Sequence, residues 1–421
     1  MRSRLLFGHE RDFDGLLFTV ALALSVIGIA LVFSARHSLT GASDYYMRQT
    51  IWLGISVVVF FVILRVPLRF YEVFAYPMYG LAIALLIAVL LFGRGAGGAV
   101  RWFDLGLFHF QPSEWAKVAV VIVSARYLTG GKPDSSWKQL FRLGLICGLA
   151  ALLVLREPDL GTALVFGAIF LGLVVWSRIP MWNIALLVTP FISLVAANDS
   201  IIAVATPEKI STAVVWVTYF AILIGALIVT RAGLWRSVAM AVVNLVAGIA
   251  SPVLWNRLHS YQQSRILTFL DPSGDAHGAG YQIIQSKIAI GSGGLFGKGF
   301  LAGSQTHLKF LPAQHTDFVF AVLGEEFGLI GTTIVLGLFA FLIMRGFWIA
   351  QRTRSRFGSY VAAGITTIIL FHIVVNVGMT LGMFPVTGLP LPFLSYGGSF
   401  LLAMWVNVAI LMVVAERWQE Y

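Results

Sequence analysis

The chain is poor in the residues that soluble proteins use. It has one cysteine in 421 residues, and only 11% of its residues are Asp, Glu, Lys or Arg. Cys147 lies inside an apolar run, which excludes an internal disulfide and reads as a small core residue. Scarce charge beside 58% hydrophobic residues excludes a soluble domain. A cleavable leader pattern is missing too: Met1 to Asp14 is polar and charged, and Gly15 to Ser34 is long enough to cross a bilayer. Acidic residues are the scarcer sign, 19 against 29 basic, for a net charge of +10. In a soluble chain that excess would suggest nucleic acid. In a membrane chain the inner loops collect Lys and Arg, so no nucleic-acid partner is expected.

What the chain has instead is apolar runs of about 20 residues, the length that crosses a hydrocarbon core. They predict an all-α polytopic integral membrane protein with about 12 transmembrane helices, near 15–34, 50–64, 72–92, 114–128, 139–155, 160–177, 183–198, 213–230, 236–254, 318–345, 358–381 and 396–415. With the N-terminus inside, the inner segments hold 17 of the 29 Lys and Arg; of the other 12, five lie in one long loop, leaving 7 in short outer segments. Both termini are therefore expected in the cytoplasm, with the long polar stretch from Trp255 to Thr316 outside. The loops carrying Arg101-Trp102, Arg156 to Asp159 and Pro385 to Gly398 fall on the same outer face, where a nucleotide pool is lacking.

The long stretch organises the chain. Its second half runs through a glycine-rich segment to His315-Thr316-Asp317, where the next apolar helix begins. A carboxylate at the rim of a membrane helix is expensive to place, so Asp317 is the leading candidate for chemistry. The glycine run GSGGLFGKG (291–299) is not a nucleotide phosphate loop: Ser292 stands where the first glycine belongs and Gly299 replaces the Ser/Thr after the lysine. Its amides and Lys298 remain a candidate phosphate cradle. His277, His307 and His315, with Asp271, Asp275 and Asp317, match no common zinc spacing. A hard divalent cation, magnesium or manganese, held by Asp317 or Asp159 and by substrate phosphates is the remaining cofactor option; no nucleotide, haem or flavin is expected.

Three further motifs carry charge to membrane edges. In Gly93 to Gln111, the cluster Trp102, Phe103, Phe108 and Phe110 fits an interfacial aromatic belt, and Arg101 beside Trp102 fits a phosphate and a sugar face equally well. Gln111 to Lys117 (QPSEWAK) starts a helix, with Glu114 and Lys117 on one face, either as an ordinary ion pair or as the wall of a site. Arg156 to Thr162 (REPDLGT) is a tight turn whose Pro158 and Gly161 explain its geometry, while Asp159 suggests a supporting or cation-binding group. Phe384 to Ser399 is Pro- and Gly-rich between two spans; irregular backbone at that depth must be protein-buried or line a cavity, which draws Ser395 towards the same site.

Arg101-Trp102, FQPSEWAK, REPDLGT, GAGYQIIQSKIAIGSGGLFGKG, LPAQHTDFVFAVLGEEFGLIG and GLPLPFLSYGGS, in that order, resemble the SEDS family (shape, elongation, division and sporulation) of peptidoglycan polymerases, and its rod-shape elongation branch more than its division branch. The resemblance implies a single membrane domain over 1–421, with the extracytoplasmic loop 255–317 leading into the catalytic motif, in the bacterial cytoplasmic (inner) membrane with its active site facing the periplasm or cell exterior. It implies polymerisation of lipid II into glycan strands, a class B penicillin-binding protein as transpeptidase partner, and contact with membrane lipid. Through the TDF motif it makes Asp317 the essential carboxylate, as general base or metal ligand. Arg101, Lys117 and Lys298 become candidates for the leaving diphosphate, Trp102 for a sugar, Glu114 for orienting Lys117, with His315, Thr316, Asp159 and Ser395 around them. A lipid II flippase is the alternative, since charges within spans are equally what transporters show. One departure stands out: the family usually has ten spans, whereas Asn183 to Leu254 here has room for three where one is usual.

Overall fold

The computed structural model describes residues 13–36, 43–93, 101–104, 106, 109–130, 136–177, 179–206, 210–231, 233–275, 279–304 and 315–416. Its helices are α1 (Gly15–Arg36), α2 (Ser43–Leu64), α3 (Leu68–Val73), α4 (Ala75–Phe92), α5 (Pro112–Thr129), α6 (Ser136–Arg156), α7 (Leu160–Trp176), α8 (Met181–Ala196), α9 (Asp199–Ala205), α10 (Thr212–Val229), α11 (Leu234–Arg257), α12 (Ser260–Leu270), α13 (Ala279–Ser292), α14 (Val319–Arg352), α15 (Arg356–Thr380) and α16 (Gly398–Glu416). A small antiparallel hairpin, β1 (Phe103–Asp104) with β2 (His109–Phe110), pairs Phe103 with Phe110 between α4 and α5.

Each of the twelve apolar stretches falls on a helix. Among the described residues nine helices are long and apolar enough to cross a membrane, or ten if α8 and α9, bent by 73°, form one broken span. The two others are α5, which carries Glu114, Lys117 and Arg126, and α7, which is only 17 residues long. The long polar stretch is more structured than its composition suggests: α12 and α13 occupy much of it.

The chain divides into two compact units. One comprises residues 1–177, 288–377 and 387–421. Its centre is α16, with 78% of its apolar window buried inside the protein, and α15, with 72%. Trp405 on α16 is fully buried, packs against Phe18 and Phe60 at 5.5 and 5.6 Å between ring centroids, and gives its indole N–H to Ser25. Among lipid-facing helices that kind of close packing replaces the hydrophobic drive between spans.

In the same unit α14 is broken at Gly328 (φ 62°, ψ −160°), which frees carbonyls and amides on either side. The glycine-rich run supplies the missing partners. The amides of Lys298 and Gly299 bond the carbonyls of Glu325 and Glu326, each at 3.0 Å, and those of Leu329 and Ile330 bond Gly294 and Leu295 at 2.9 and 3.1 Å. A side chain at Gly297 would collide with the Glu326 carbonyl. The run is therefore a splice across a broken helix, and the amides of Gly293, Gly297, Lys298 and Gly299 are taken by backbone carbonyls instead of being free for a phosphate.

The second unit holds residues 178–287 and 378–386. Here α8, α10 and α11 are held by polar groups between helices: Tyr219 donates to Asn244 Oδ1 (2.6 Å), Asn244 to Thr189 (3.0 Å), Ser193 to the Asn244 carbonyl (2.7 Å) and Trp216 to Ser193 (3.0 Å). These are the three helices expected between 183 and 254.

Candidate active site

The segment 387–397, between α15 and α16, is the hub of the site. It is irregular, and side chains of α2 and α15 bond several of its backbone groups. Asn376 of α15 donates one amide hydrogen to the Leu389 carbonyl (2.8 Å) and the other to the Asp317 carbonyl (2.9 Å). Ser395 accepts from the Leu391 N–H (2.8 Å) and donates to the Thr316 carbonyl (2.5 Å), while the Tyr396 N–H bonds the His315 carbonyl (2.9 Å). Gln49 of α2 closes the other side, donating to the Ser395 carbonyl and accepting from Gly397 N–H, both at 3.2 Å. Residues 315–317 are thus pinned by their backbone to the hub. The Asp317 carboxylate passes Gly388 closely: a Cβ there would sit 3.7 Å from Oδ2. Ser395 is buried, and its hydroxyl is used in this clamp, where it positions the segment.

A buried charge line reaches the hub from α5. Lys117, 1% exposed, lies 2.8 Å from the Glu114 carboxylate and 3.1 Å from Nε2 of His372, whose Nδ1 is 3.2 Å from the Pro390 carbonyl. That arrangement gives His372 an Nδ1–H donated to Pro390. Enclosed in this way, Glu114 and Lys117 support the hub from within the bundle.

The third strut is the turn between α6 and α7. Arg101 donates to the carbonyls of Glu157 (3.2 Å) and Pro158 and faces Asp159 at 3.8 Å. Asp159 caps α7: Oδ1 accepts the Thr162 N–H (3.1 Å) and Oδ2 the Thr162 hydroxyl (3.0 Å). Gly161 lets this turn touch the hub, where a Cβ would approach the Thr387 carbonyl to 2.7 Å. Glu157 is buried with both carboxylate oxygens unpartnered; burial foremost, then the nearby Asp159 charge, pushes its acid up to about 8 against the pull of Arg101. Trp102 donates to the Gln111 side chain (3.3 Å), which ties the hairpin to the start of α5. Lys298 bonds Glu325 (2.8 Å) and Ser304 (2.7 Å).

His315 lies between Tyr45 and Tyr396, with ring centroids at 5.5 and 5.8 Å, and its Nε2 is 3.1 Å from a guanidinium nitrogen of Arg36. Burial first, and the Arg36 charge second, lower its imidazole to about 4, so it is neutral at pH 7 and accepts from Arg36. His277 and His307 lie outside the described residues. Among the described residues no three His, Cys, Asp or Glu side chains gather as a protein-built metal site would require. A cation shared between one carboxylate, Asp317 or Asp159, and substrate phosphates needs no such cluster, and no step below runs through a metal.

The expected site residues all lie in one unit: residues 315–317 and Ser395 meet at the hub, Glu114 and Lys117 reach it through His372, Arg101 and Asp159 share the turn beside it, and Lys298 stands apart, bonded to Glu325 and Ser304. This arrangement can be compared with known proteins. A family model described as "Cell cycle protein" (FtsW, RodA, SpoVE) matches residues 14–206 and 200–420. The chain belongs to the FtsW/RodA/SpoVE family. Its two matched segments overlap at residues 200–206, at α9. Among relatives of this SEDS family, the peptidoglycan glycosyltransferase MrdB of Escherichia coli strain K12 is 38% identical over 410 residues, covering 97% of this chain and 95% of that protein. The peptidoglycan glycosyltransferase RodA of Treponema pallidum is 36% identical over 96% of this chain and 98% of its own. Among solved structures, a chain described under structural coordination of polymerization and crosslinking by a peptidoglycan synthase complex aligns with a TM-score of 0.71 at 30% identity, covering 97% of this chain and 99% of that one. The rod shape determining protein RodA of Thermus thermophilus aligns at 0.63 and 26% identity, covering 97% and 98%.

Sequence reasoning missed Asn376, His372, Gln49 and Arg36. His372 and Asn376 had a signal: two polar residues four apart on one face of an otherwise apolar helix. Gln49 and Arg36 sit at helix ends where polar residues are ordinary, and nothing local distinguished them.

Proposed function

We propose that this chain is a peptidoglycan glycosyltransferase that polymerises lipid II into glycan strands on the outer face of the cytoplasmic membrane during cell elongation. The names of its relatives, at 38% and 36% identity over nearly the whole chain, support the activity. The observation that carries the assignment of chemistry is the clamp on Asp317: Asn376, Ser395 and Gln49 fix the backbone of 315–317 and of the hub, leaving one carboxylate positioned against Gly388.

The reaction joins two lipid-linked disaccharides. The 4-hydroxyl of the acceptor sugar attacks the anomeric carbon of the donor; its proton passes to the Asp317 carboxylate, the new C–O bond forms, and the donor's bond to the diphosphate oxygen breaks. Undecaprenyl diphosphate leaves with that electron pair. General-base assistance of this kind is worth about 10²–10⁴-fold, provided the base lies within hydrogen-bond reach of the hydroxyl. Rigid placement matters more than any further group, because a carboxylate on a wandering loop would lose that reach. The relative described within a synthase complex supports a second proposal, that a class B penicillin-binding protein docks on this chain and crosslinks its product.

The test is direct. Purified protein with its transpeptidase partner is given lipid II in detergent or nanodiscs, and the products are separated by size. Glycan strands longer than a disaccharide are the expected result. Protein that makes no glycan but moves lipid II across sealed vesicles would replace this reading with that of a flippase.

A further inference from the structure

The three cations that the sequence offers to the leaving diphosphate are all committed elsewhere. Arg101 holds the Glu157–Asp159 turn, Lys117 lies enclosed with Glu114 and His372, and Lys298 is bonded to Glu325. A fourth cation stands beside the clamped segment. Arg36 ends α1, and its guanidinium lies over the Tyr45 ring (3.8 Å to the centroid) with one nitrogen 3.1 Å from His315, two residues before Asp317. Its Nε is buried and makes no hydrogen bond. A basic residue in the last turn of a helix is ordinary, because the dipole favours it. The dipole does not explain why this one is stacked on an aromatic face and turned towards a neutral imidazole. Tyr45, Tyr396 and His315 form a closed aromatic cluster, with rings 5.0–5.8 Å apart, that holds the guanidinium in place.

We propose that Arg36, fixed by Tyr45 and His315, binds the diphosphate of the lipid-linked donor and of the released product. This deepens the glycosyltransferase reading and rests on it. A guanidinium suits the role because its planar fork matches phosphate oxygens and stays charged. As the C–O bond to the diphosphate breaks, negative charge grows on the leaving oxygen, and a preorganised cation there stabilises the transition state. His315 takes one N–H of the fork and leaves the rest for phosphate; being neutral, it does not cancel the charge.

The experiment uses the full-length protein in nanodiscs with its transpeptidase partner and compares wild type, Arg36→Gln and Arg36→Lys. Two quantities are read: the rate of lipid II polymerisation, and direct binding of undecaprenyl diphosphate measured in the Asp317→Asn background. Arg36→Gln should slow polymerisation roughly 100-fold, in line with loss of one preorganised charge-stabilising donor. It should weaken undecaprenyl diphosphate binding at least about tenfold, worth about 1.4 kcal/mol, with Arg36→Lys between the two. Inorganic diphosphate should compete with the lipid product on wild type and fail to do so on Arg36→Gln. A wild-type protein that polymerises alongside an equally fast Arg36→Gln would overturn the assignment to Arg36 and leave the functional reading intact. A variant that is slow, melts earlier and yet binds undecaprenyl diphosphate as wild type does would also overturn it, by showing that Arg36 supports structure only. A wild type that makes no glycan under any condition would overturn both readings together.

Discussion

Asn376 shows how much one uncharged side chain can decide. It satisfies two carbonyls, at Asp317 and Leu389, that lie on segments 72 residues apart in the chain. Replacing it with leucine leaves both carbonyls without a donor, and each buried unsatisfied group costs about 1–3 kcal/mol. Asn376→Leu should therefore lower the melting temperature in nanodiscs and reduce polymerisation more steeply than the stability loss accounts for, because Asp317 is no longer held. Glu157 offers a second residue-scale prediction, on pH. Its acid is raised from about 4.5 to about 8, so the folded state prefers it protonated. The stabilisation this brings is fully present below about pH 4.5 and is lost as pH rises through 8. Thermal melts between about pH 5 and 9.5 should show wild type weakening up to about pH 8 and levelling above it, with Glu157→Gln holding level; parallel curves for the two proteins would contradict the assignment. Asp317, Glu114 and Lys117 were legible in the sequence because charge beside apolar helices is rare. Gln49 and Arg36 were not, since their meaning lies in partners up to 348 residues away.

At the scale of elements, the glycine-rich run is the clearest case of a pattern whose local reading misleads. Read alone, glycines around a lysine suggest a loop that cradles phosphate. In the structure the same glycines allow residues 294–299 to lie against residues 325–330 and repair the break at Gly328. Only tertiary register distinguishes the two roles. Gly297 has φ +82° and no room for a side chain, so Gly297→Ala should be among the most damaging single changes in this segment. Proteolysis or thermal melting should show the loss, while Gly294→Ala, at a site with φ +56° but open space, should cost less. The apolar runs themselves were read correctly as helices. Hydropathy was least informative at α5, where Glu114, Lys117 and Arg126 interrupt a helix that lies inside the protein and not against lipid.

For the whole molecule, the chain's long range of contacts gives the site its logic. Within the first unit, side chains of α1, α2, α5 and α15 reach the 387–397 hub or the 315–317 segment from distant parts of the chain. Two ion pairs, Asp14–Arg345 (2.5 Å) and Glu72–Arg126 (2.6 Å), join residues well away in sequence from those motifs and outside the hub. The convergence of four polar insertions was legible from the alternation of spans; the hub that organises them was not, because a Pro- and Gly-rich connection looks the same in sequence whether it is a linker or a keystone. The three apolar helices between 183 and 254 were legible by length alone, and their interhelical polar network fits a separately packed unit. The central claim, that one positioned carboxylate carries glycan polymerisation, is tested most directly by comparing wild type with Asp317→Asn in a lipid II polymerisation assay, with partner binding and thermal melting as controls. The account predicts a folded, partner-binding Asp317→Asn protein that makes no glycan above background. An Asp317→Asn protein that polymerises at a rate near wild type would contradict it.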